Sequence, residues 1–248
     1  MSSSCITVSV ISHRQAALVK DLCTDIQTCC DGDIRIILTS NVPEDLSGLP
    51  AGISVIRNTS PKGFGANHNA AFHAVTSRFF CVVNPDVRLR KNPFPPLIAA
   101  LTDDDVGVAA PLVESPSGAT EDSARYFPTV TRLGAKLFCR TPKLDYEIGR
   151  SQFSPDWVAG MFMLFRSDMY RMVGGFDERY FLYYEDVDLC ARIRLAGSRV
   201  IFEPSSSVVH DARRASRGNP RHAWWHARSI VRYLLSSAYR ELRDRRFV

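Results

Sequence analysis

The chain has 248 residues, 45% of them hydrophobic and 23% charged, a composition typical of a globular domain that buries a sizeable core. No apolar run approaches the ~18 residues that a membrane-spanning helix needs, and Met1–Ser4 lacks the basic and apolar regions of a signal peptide, so we expect neither. Seven cysteines, without a Cys-x-x-Cys pair, predict reduced thiols in a cytosolic protein and argue against a disulfide or zinc framework.

The net charge of +5 is concentrated at one end of the chain. Residues 211–248 contain ten arginines and three acids, so this segment carries +7 and the first 210 residues carry −2. A basic segment of this kind suits nucleic acid, anionic lipid or a phosphate-bearing ligand, and it is equally compatible with a solvated helix face. Composition alone does not separate these readings.

Apolar runs and helical spacings alternate along the first 113 residues. They predict strands at residues 5–12, 34–39, 53–56, 78–83 and 106–113, and helices at residues 16–30, 63–75 and 97–101. This alternation at short spacing is typical of a mostly parallel sheet covered by helices.

The second half begins with a stretch that is hard to assign. Residues 114–155 hold prolines, serines, glycines and scattered aromatics, which predict loops with short helices. Further along we predict strands at residues 158–165, 200–202 and 205–210, a turn at 174–177, a helix at 185–196 that Gly197 ends, and one long helix at 220–246. The sequence shows no internal repeat.

The triplet Asn84-Pro85-Asp86 follows directly after the apolar strand Phe79–Val83. In open α/β sheets, ligands bind at the carboxyl ends of the strands. A carboxylate there suits a divalent metal that holds a diphosphate, because hard cations prefer oxygen ligands. A plain turn is the other reading of the same triplet.

The segment Gly63-Phe64-Gly65-Ala66-Asn67-His68-Asn69 is a glycine-rich helix entrance. Glycines allow a close approach of the backbone, and a helix N-terminus favours anionic groups. The segment does not match G-x-G-x-x-G, and a simple tight turn explains it equally well.

A second dense segment, residues 181–190, places aromatics directly before the carboxylates Glu185, Asp186 and Asp188. Acids in a first turn complement the helix dipole, but this does not explain the aromatics. Aromatics around a carboxylate exclude water and form a sugar-sized platform, where a base can take a hydroxyl proton.

His210 ends the apolar stretch Val208-Val209. A lone histidine is more often structural, but as a partner of Asp86 it would complete a carboxylate–imidazole site of the kind that Mn²⁺ tolerates. The arginines that follow it suit a diphosphate: Arg213, Arg214 and Arg217.

The C-terminal helix is predicted to be amphipathic. One stripe holds the apolar residues Trp224, Ala227, Val231, Leu234, Leu235, Ala238 and Leu242, and arginines lie off it. The stripe either packs on the domain or lies in a membrane interface with arginines toward anionic lipid.

Together these segments resemble the inverting family 2 glycosyltransferases of the GT-A fold. More narrowly, the chain is similar to the bacterial rhamnosyltransferases that build O-antigen, as in lipopolysaccharide, and related cell-wall polysaccharides. The resemblance covers residues 5–240 and rests on the order and spacing of five motifs, G-F-G-A-N-H-N (63–69), N-P-D-V (84–87), D-W-V-A-G-M-F-M-L-F-R (156–166), V-G-G-F-D-E-R-Y-F-L-Y-Y-E-D-V-D-L-C (173–190) and V-V-H (208–210).

The resemblance implies an α/β architecture with a Rossmann-like, mostly parallel central sheet flanked by helices. The GT-A domain would span residues 1–215, with a nucleotide-sugar half at 1–113 and an acceptor and catalytic half at 114–215. Residues 216–248 would form a basic amphipathic helical extension.

The resemblance also assigns roles. Asp86 and His210 would bind Mg²⁺ or Mn²⁺, Asp186 would be the catalytic base, and Glu185 would orient that base or the acceptor. The donor pocket would contain Ser12, His13, Asn41, Gly63, Gly65, Asn69, Asn84 and Asp86, and the acceptor side Trp157, Gly160, Tyr183, Tyr184 and Arg217. Asn84 stands where the family has an acid, and Thr39-Ser40-Asn41 stands where it usually has another.

The implied reaction is metal-dependent transfer of L-rhamnose from dTDP-L-rhamnose to a polyprenyl-diphosphate-linked sugar. The implied location is cytoplasmic, with peripheral attachment to the inner leaflet of the cytoplasmic membrane. No nucleic-acid partner is expected, and a homodimer is left open.

Two other classes remain at this point. A sugar nucleotidyltransferase would use a similar sheet, but it would carry a basic glycine-rich loop near the first strand, which Val10–Arg14 lacks. A non-catalytic module that binds sugar nucleotides or membrane would result if Asn84 disabled metal binding.

Overall fold

The structure, a computed structural model, describes residues 5–138, 144–211 and 220–245, with side chains for all of these except 136–138. Its strands are β1 (Ile6–Ser12), β2 (Ile34–Ser40), β3 (Ser54–Arg57), β4 (Phe79–Val83), β5 (Val87–Arg88), β6 (Val106–Glu114), β7 (Ala124–Arg125), β8 (Trp157–Val158), β9 (Phe162–Arg166) and β10 (Arg199–His210). Its helices are α1 (Ala16–Cys29), α2 (Phe64–Phe72), α3 (Phe94–Ala100), α4 (Val130–Phe138), α5 (Ser167–Met172), α6 (Glu185–Leu195), α7 (Pro220–Leu234) and α8 (Ser237–Asp244).

Eight strands form one sheet in the order β3-β2-β1-β4-β9-β6-β10-β5. The pairs β1–β2, β1–β4, β2–β3 and β6–β10 are parallel, whereas β9 runs antiparallel to β4 and β6, and β5 runs antiparallel to β10. The predicted mostly parallel sheet is therefore confirmed. A separate two-stranded ribbon, β7–β8, stands beside it.

Helices cover both faces of the sheet. Successive side chains of β4 point to opposite faces and are buried on each, which explains why this strand is apolar throughout. Phe80 and Val82 join one buried cluster, which includes α5, α6 and α8. Phe79, Cys81 and Val83 join the other, which includes α1 and α3. A strand buried on both faces reads as a continuous hydrophobic run.

Two predicted strands have different boundaries in the structure. The run at 158–165 is interrupted at residues 159–161, so it forms the end of β8 and then β9. The strands predicted at 200–202 and 205–210 are joined in β10, with a register shift against β6 between Glu203 and Ser207. The interruption at residues 159–161 and the end of β10 at His210 both belong to the candidate active site.

The prediction of one continuous helix over residues 220–246 is wrong within the described part of the chain. Helix α7 ends at Leu234. Ser236 is the N-cap of α8, and its hydroxyl accepts a hydrogen bond from the Tyr239 N–H, 3.0 Å away. This new cap lets α8 turn inward, where Ala238 and Leu242 are buried.

The predicted domain boundaries at residues 113 and 215 stay predictions. Strand β9, from the predicted acceptor half, lies between β4 and β6 of the predicted donor half, so the two halves share one sheet. None of the described helices is both long enough and apolar enough to cross a bilayer.

Candidate active site

Asn84-Pro85-Asp86 lies where β4 ends, at the edge of the sheet that the sequence indicates. The Asn84 N–H donates to the carbonyl of Met161, 2.9 Å away, in the break between β8 and β9. The Asp86 carbonyl accepts from the Asp211 N–H at 2.9 Å, which ties the triplet to the end of β10. The Asp86 carboxylate Oδ2 lies 3.4 Å from Nε2 of His210. The structure thus brings together the two residues predicted to bind a metal.

His210 is held from its other side by Glu121. The imidazole Nδ1 lies 2.8 Å from Glu121 Oε2, and the ring is mostly buried. Burial disfavours a charged imidazole, but hydrogen bonds and opposite charges from Asp86 and Glu121 prevail and raise the pKa of His210 to about 9. The imidazole therefore lies between two carboxylates, with Nε2 directed at Asp86.

Asp186 lies in the first turn of α6, where backbone amides hold its carboxylate. Oδ2 accepts a hydrogen bond from the Gly160 N–H at 2.9 Å, and Oδ1 accepts one from the Val187 N–H at 2.9 Å. Gly160 and Met161 are consecutive residues, so the interruption of the predicted strand connects the Asp186 carboxylate to Asn84 through two neighbouring residues. The predicted base and the predicted metal motif are therefore linked in the structure, and their roles stay predictions.

Glu185 and Asp186 are neighbours with different surroundings. Burial raises the pKa of Glu185 well above its usual value, the Asp186 charge adds to this, and Glu185 Oε2 has no hydrogen-bond partner among the described atoms. Burial also raises the pKa of Asp186, but the amides of Gly160 and Val187 and the charge of Arg125 act against it. The amides and Arg125 therefore favour the ionised form of Asp186, whereas burial and the Asp186 charge disfavour the ionised form of Glu185.

The predicted donor-pocket residues of the first two strands also lie together. The Asn41 N–H donates to the Ser12 carbonyl at 2.8 Å, and the Asn41 side-chain nitrogen lies 3.4 Å from His13 Nδ1. The Asn41 side-chain oxygen accepts the Lys62 N–H at 2.8 Å, which anchors the loop before α2. The Ser12 hydroxyl donates to Glu44 Oε2 at 2.8 Å. Asn41 thus joins the ends of β1 and β2 to the loop before α2. Its direct contact with a donor stays a prediction.

The glycines at the start of α2 are required by packing. A Cβ on Gly63 would lie 2.7 Å from the Phe181 carbonyl oxygen, and one on Gly65 would lie 2.5 Å from Phe176 Cβ. The close backbone approach predicted from the sequence is present, but its partner is residues 176–181 of this chain. A role of these glycines in binding the donor stays a prediction.

Asn69 connects α2 to the turn at residues 175–178. Its side-chain oxygen accepts hydrogen bonds from the Tyr170 hydroxyl at 2.7 Å and the Phe176 N–H at 3.0 Å, and its nitrogen donates to the Phe176 carbonyl at 2.9 Å and to Glu178 at 3.0 Å. These bonds give Asn69 a structural role, and the prediction that it contacts the donor has no support in its geometry.

Three of the residues predicted on the acceptor side, Gly160, Tyr183 and Tyr184, lie next to Asp186 in the structure or in the chain. Tyr183 and Tyr184 immediately precede α6, and Gly160 donates to Asp186. Trp157 is mostly buried, and its indole N–H donates to the Tyr126 carbonyl at 2.9 Å, so its polar group is already satisfied. Arg217, together with Arg213 and Arg214, lies outside the described residues.

Sequence reasoning missed two residues of the site, Glu121 and Arg125. The Arg125 guanidinium lies over the Trp157 ring at 5.5 Å, and its charge acts on Asp186. Both residues belong to the stretch assigned to loops, where the charged run Glu121-Asp122-Ser123-Ala124-Arg125 was the only available signal.

A family model described as "Glycosyltransferase like family 2" matches residues 10–228 of the chain. The chain belongs to this family. It is therefore a glycosyltransferase, and the predicted resemblance is confirmed.

Two similar proteins carry more specific names. The rhamnosyltransferase WbbL of Escherichia coli (strain K12) is 27% identical over 243 residues, covering 92% of this chain and 91% of that protein. The N-acetylglucosaminyl-diphospho-decaprenol L-rhamnosyltransferase of Mycobacterium tuberculosis is 34% identical over 149 residues, covering 56% of this chain and 48% of that protein. The chain thus matches nearly all of the first relative and about half of the second.

Solved structures show the same fold at low sequence identity. GalNAc-T7 with UDP, GalNAc and Mn²⁺ superposes with a TM-score of 0.68 at 15% identity, over 88% of this chain and 45% of that chain. The mannosyltransferase PcManGT of Pyrobaculum calidifontis, in complex with GDP-Man and Mn²⁺, gives 0.60 at 17% identity, over 90% of this chain and 60% of that chain. The fold is of the GT-A type, as the resemblance implies.

Proposed function

We propose that the protein transfers L-rhamnose from dTDP-L-rhamnose to a polyprenyl-diphosphate-linked sugar, with inversion at the anomeric carbon. The names of the two rhamnosyltransferase relatives support the sugar, and the mycobacterial name supports a lipid-diphosphate acceptor. The observation that carries the proposal is the setting of Asp186, whose carboxylate accepts from the Gly160 N–H, while the carbonyl of the next residue, Met161, accepts from Asn84 of the triplet that contains Asp86.

In this reaction Asp186 is the general base. Its carboxylate removes the proton of the acceptor hydroxyl while the hydroxyl oxygen attacks the anomeric carbon from the face opposite the leaving diphosphate. The two backbone N–H groups fix the carboxylate orientation, and Arg125 favours its ionised form. Burial and the Asp186 charge raise the pKa of Glu185, which disfavours a second negative charge beside the base.

The residues present suit a divalent cation. Asp86 offers a hard oxygen ligand, and His210 would offer Nε2 on loss of the proton that it shares with Asp86, while Glu121 holds Nδ1, an arrangement that fixes ring orientation in many metal sites. Among the described residues, no group of three or more acidic, histidine or cysteine side chains could hold a metal ion by itself. Asp86 and His210 would hold Mg²⁺ or Mn²⁺ together with diphosphate oxygens of the donor, and the ion would neutralise the leaving group's charge.

We further propose that the enzyme works at a membrane surface through α7. The exposed face of this helix carries Trp224 and Val231, which are 65% and 56% exposed, and Leu235, directly after the helix, is 72% exposed. The exposed Arg228 lies on the same helix, within a C-terminal segment of +7 net charge. An apolar face flanked by arginine suits an anionic lipid interface, where a lipid-linked acceptor resides.

A donor panel tests the proposed function. With dTDP-L-rhamnose, UDP-glucose and GDP-mannose offered in turn, together with a lipid-diphosphate acceptor, we expect release of dTDP alone, dependent on Mn²⁺ or Mg²⁺ and abolished by EDTA. Faster release from UDP-glucose or GDP-mannose would contradict the donor assignment. Turnover that EDTA leaves unchanged would contradict the metal assignment. A sugar nucleotidyltransferase would release no dTDP in this assay, since it forms inorganic diphosphate only from a nucleoside triphosphate and a sugar phosphate.

A further inference from the structure

The segment Phe181-Leu182-Tyr183-Tyr184, here the 181–184 segment, ends where the first turn of α6 presents Asp186. Tyr183 and Tyr184 both have positive φ angles, 71° and 68°. Left-handed conformations are unfavourable for bulky side chains, and two in succession persist only where neighbouring contacts enforce them. Contacts with α7 on one side and with the start of α2 on the other hold the 181–184 segment.

One face of α7 contacts every residue of this segment. Trp225 packs on Phe181 with ring centroids 4.8 Å apart, and the Ser229 hydroxyl donates to the Leu182 carbonyl at 3.0 Å. The Tyr183 hydroxyl lies 2.8 Å from His222 Nδ1. His226 lies between the two tyrosines, 5.3 Å from the Tyr183 ring and 5.5 Å from the Tyr184 ring.

The other side of the segment is fixed by the start of α2. The Phe64 N–H donates to the Phe181 carbonyl at 2.9 Å, and Gly63 leaves room for the Phe181 backbone. The segment is therefore held between the donor side of the site and α7. Helix α7 supplies hydrogen-bond and ring contacts to the two tyrosine side chains, which face the acceptor in the proposed reaction.

We propose that His222 and Ser229 are positioning residues for the acceptor: through Tyr183 and the Leu182 carbonyl they hold the 181–184 segment in the conformation that accepts the acceptor beside Asp186. This inference rests on the proposed glycosyl transfer and adds α7 to the active site. Because α7 also carries the exposed apolar face, the helix that meets the lipid is the helix that shapes the acceptor site.

The test compares His222→Ala, Tyr183→Phe, the double variant and His222→Asn, which retains a polar atom near the position of Nδ1. We expect His222→Ala and Tyr183→Phe each to raise the acceptor KM by about three- to tenfold, the range that loss of one hydrogen bond gives. The double variant should show no further increase, since both changes remove one interaction. His222→Asn should restore most of the affinity, and the dissociation constant for dTDP should stay the same throughout.

Hydrogen exchange gives a second readout that needs no turnover. Amides of residues 183–188 should exchange faster in His222→Ala and Tyr183→Phe, whereas those of β4 should not change. His73→Ala, at an exposed histidine at the end of α2, serves as the matched control and should leave both readouts unchanged.

Unchanged acceptor KM, or unchanged exchange at residues 183–188, would overturn the inference, as would additive effects in the double variant. If His222→Ala fails to fold, Tyr183→Phe, which removes one oxygen atom, decides alone. If the native protein transfers no sugar from any donor, the proposed function fails, and exchange at residues 183–188 still decides whether α7 holds the segment.

Discussion

Asp186 accepts hydrogen bonds from two backbone amides and lies beside Glu185, whose pKa is raised by burial. Asp186→Asn keeps the shape of the side chain and removes its basicity. We predict a loss of about 10²–10⁴ in turnover, the usual contribution of general-base catalysis, with nearly native binding of dTDP. Glu185→Gln should lose less, because burial and the Asp186 charge already disfavour an ionised carboxylate at that position. Single-turnover transfer rates measure both variants, and the reverse ranking would assign the base to Glu185.

Glu121 acts on the predicted metal site through the His210 ring. Glu121→Gln weakens the interaction that orients Nε2 toward Asp86, so we expect affinity for Mn²⁺ to fall by about 10–100-fold. Electron paramagnetic resonance of free Mn²⁺, titrated with protein in the presence of dTDP, measures this without turnover. Glu203→Gln, in β10 but away from His210, is the control. Equal Mn²⁺ affinity in the Glu121 variant and the control would remove Glu121 from the site.

His68 makes the fold sensitive to acid. It lies on α2, fully buried against β1, with Nδ1 2.8 Å from the Ser9 hydroxyl, and burial lowers its pKa to about 3. Between that value and the unfolded pKa of about 6.5, only the unfolded chain binds the proton. The free energy of unfolding therefore falls as pH decreases through this window.

We predict that His68→Gln reduces this dependence between pH 6.5 and pH 5, above the range in which most carboxylates titrate. The native slope contains at most about 1.4 kcal/mol per pH unit from His68, and the variant should lose that part whatever its absolute stability. Urea unfolding at several pH values gives the slope. The exposed His73→Gln should keep the native slope. A native slope in His68→Gln as well would mean that His68 is protonated in the folded state.

At the scale of elements, α7 has two faces with different roles. Tyr233 and Ser229 are buried, whereas Trp224, Val231 and Leu235 are exposed. The apolar stripe predicted from the sequence is thus divided, because α8 begins at a new cap and carries Ala238 and Leu242 into the core. Membrane docking depends on the exposed part alone.

We predict that Trp224→Ala combined with Leu235→Ser reduces binding to anionic vesicles, and that Arg228→Gln makes the remaining binding weaker and less sensitive to salt. Flotation with anionic and neutral vesicles measures this. Met172→Ser, at an equally exposed apolar residue on α5, is the control. The melting temperature should stay the same, since the replaced side chains are exposed. Equal flotation of the double variant and the control would leave α7 without a membrane role.

The elements differ in how well the sequence predicts them. Strand β4 is predictable because the run Phe79–Val83 is buried on both faces and ends at a turn. The break at residues 159–161 is harder to predict, because Gly160 is its only local signal and the break depends on hydrogen bonds to Asn84 and Asp186. Local patterns predict elements, but interruptions set by distant partners require the fold.

At the scale of the whole molecule, the same limit applies to the site. Asp86, His210 and Asp186 follow from motif order, and the structure brings the first two into contact. Glu121 and Arg125 do not follow from motif order. Glu121 reaches His210 only after the chain turns back beyond β6, and Arg125 is placed by the pairing of β7 with β8. Gly63 shows a third case: the close approach is predictable, but its partner, Phe181, is distant in sequence.

The central claim is that this chain transfers rhamnose to a lipid-linked acceptor by base catalysis from Asp186. Its most direct test incubates the protein with dTDP-[¹⁴C]-L-rhamnose, Mn²⁺ and polyprenyl-diphosphate-linked N-acetylglucosamine, and then measures label in the organic-extractable lipid. The account predicts label with the native protein, and about 10²–10⁴ slower labelling with Asp186→Asn. Absence of label with the native protein, or equal labelling by the two proteins, would contradict it.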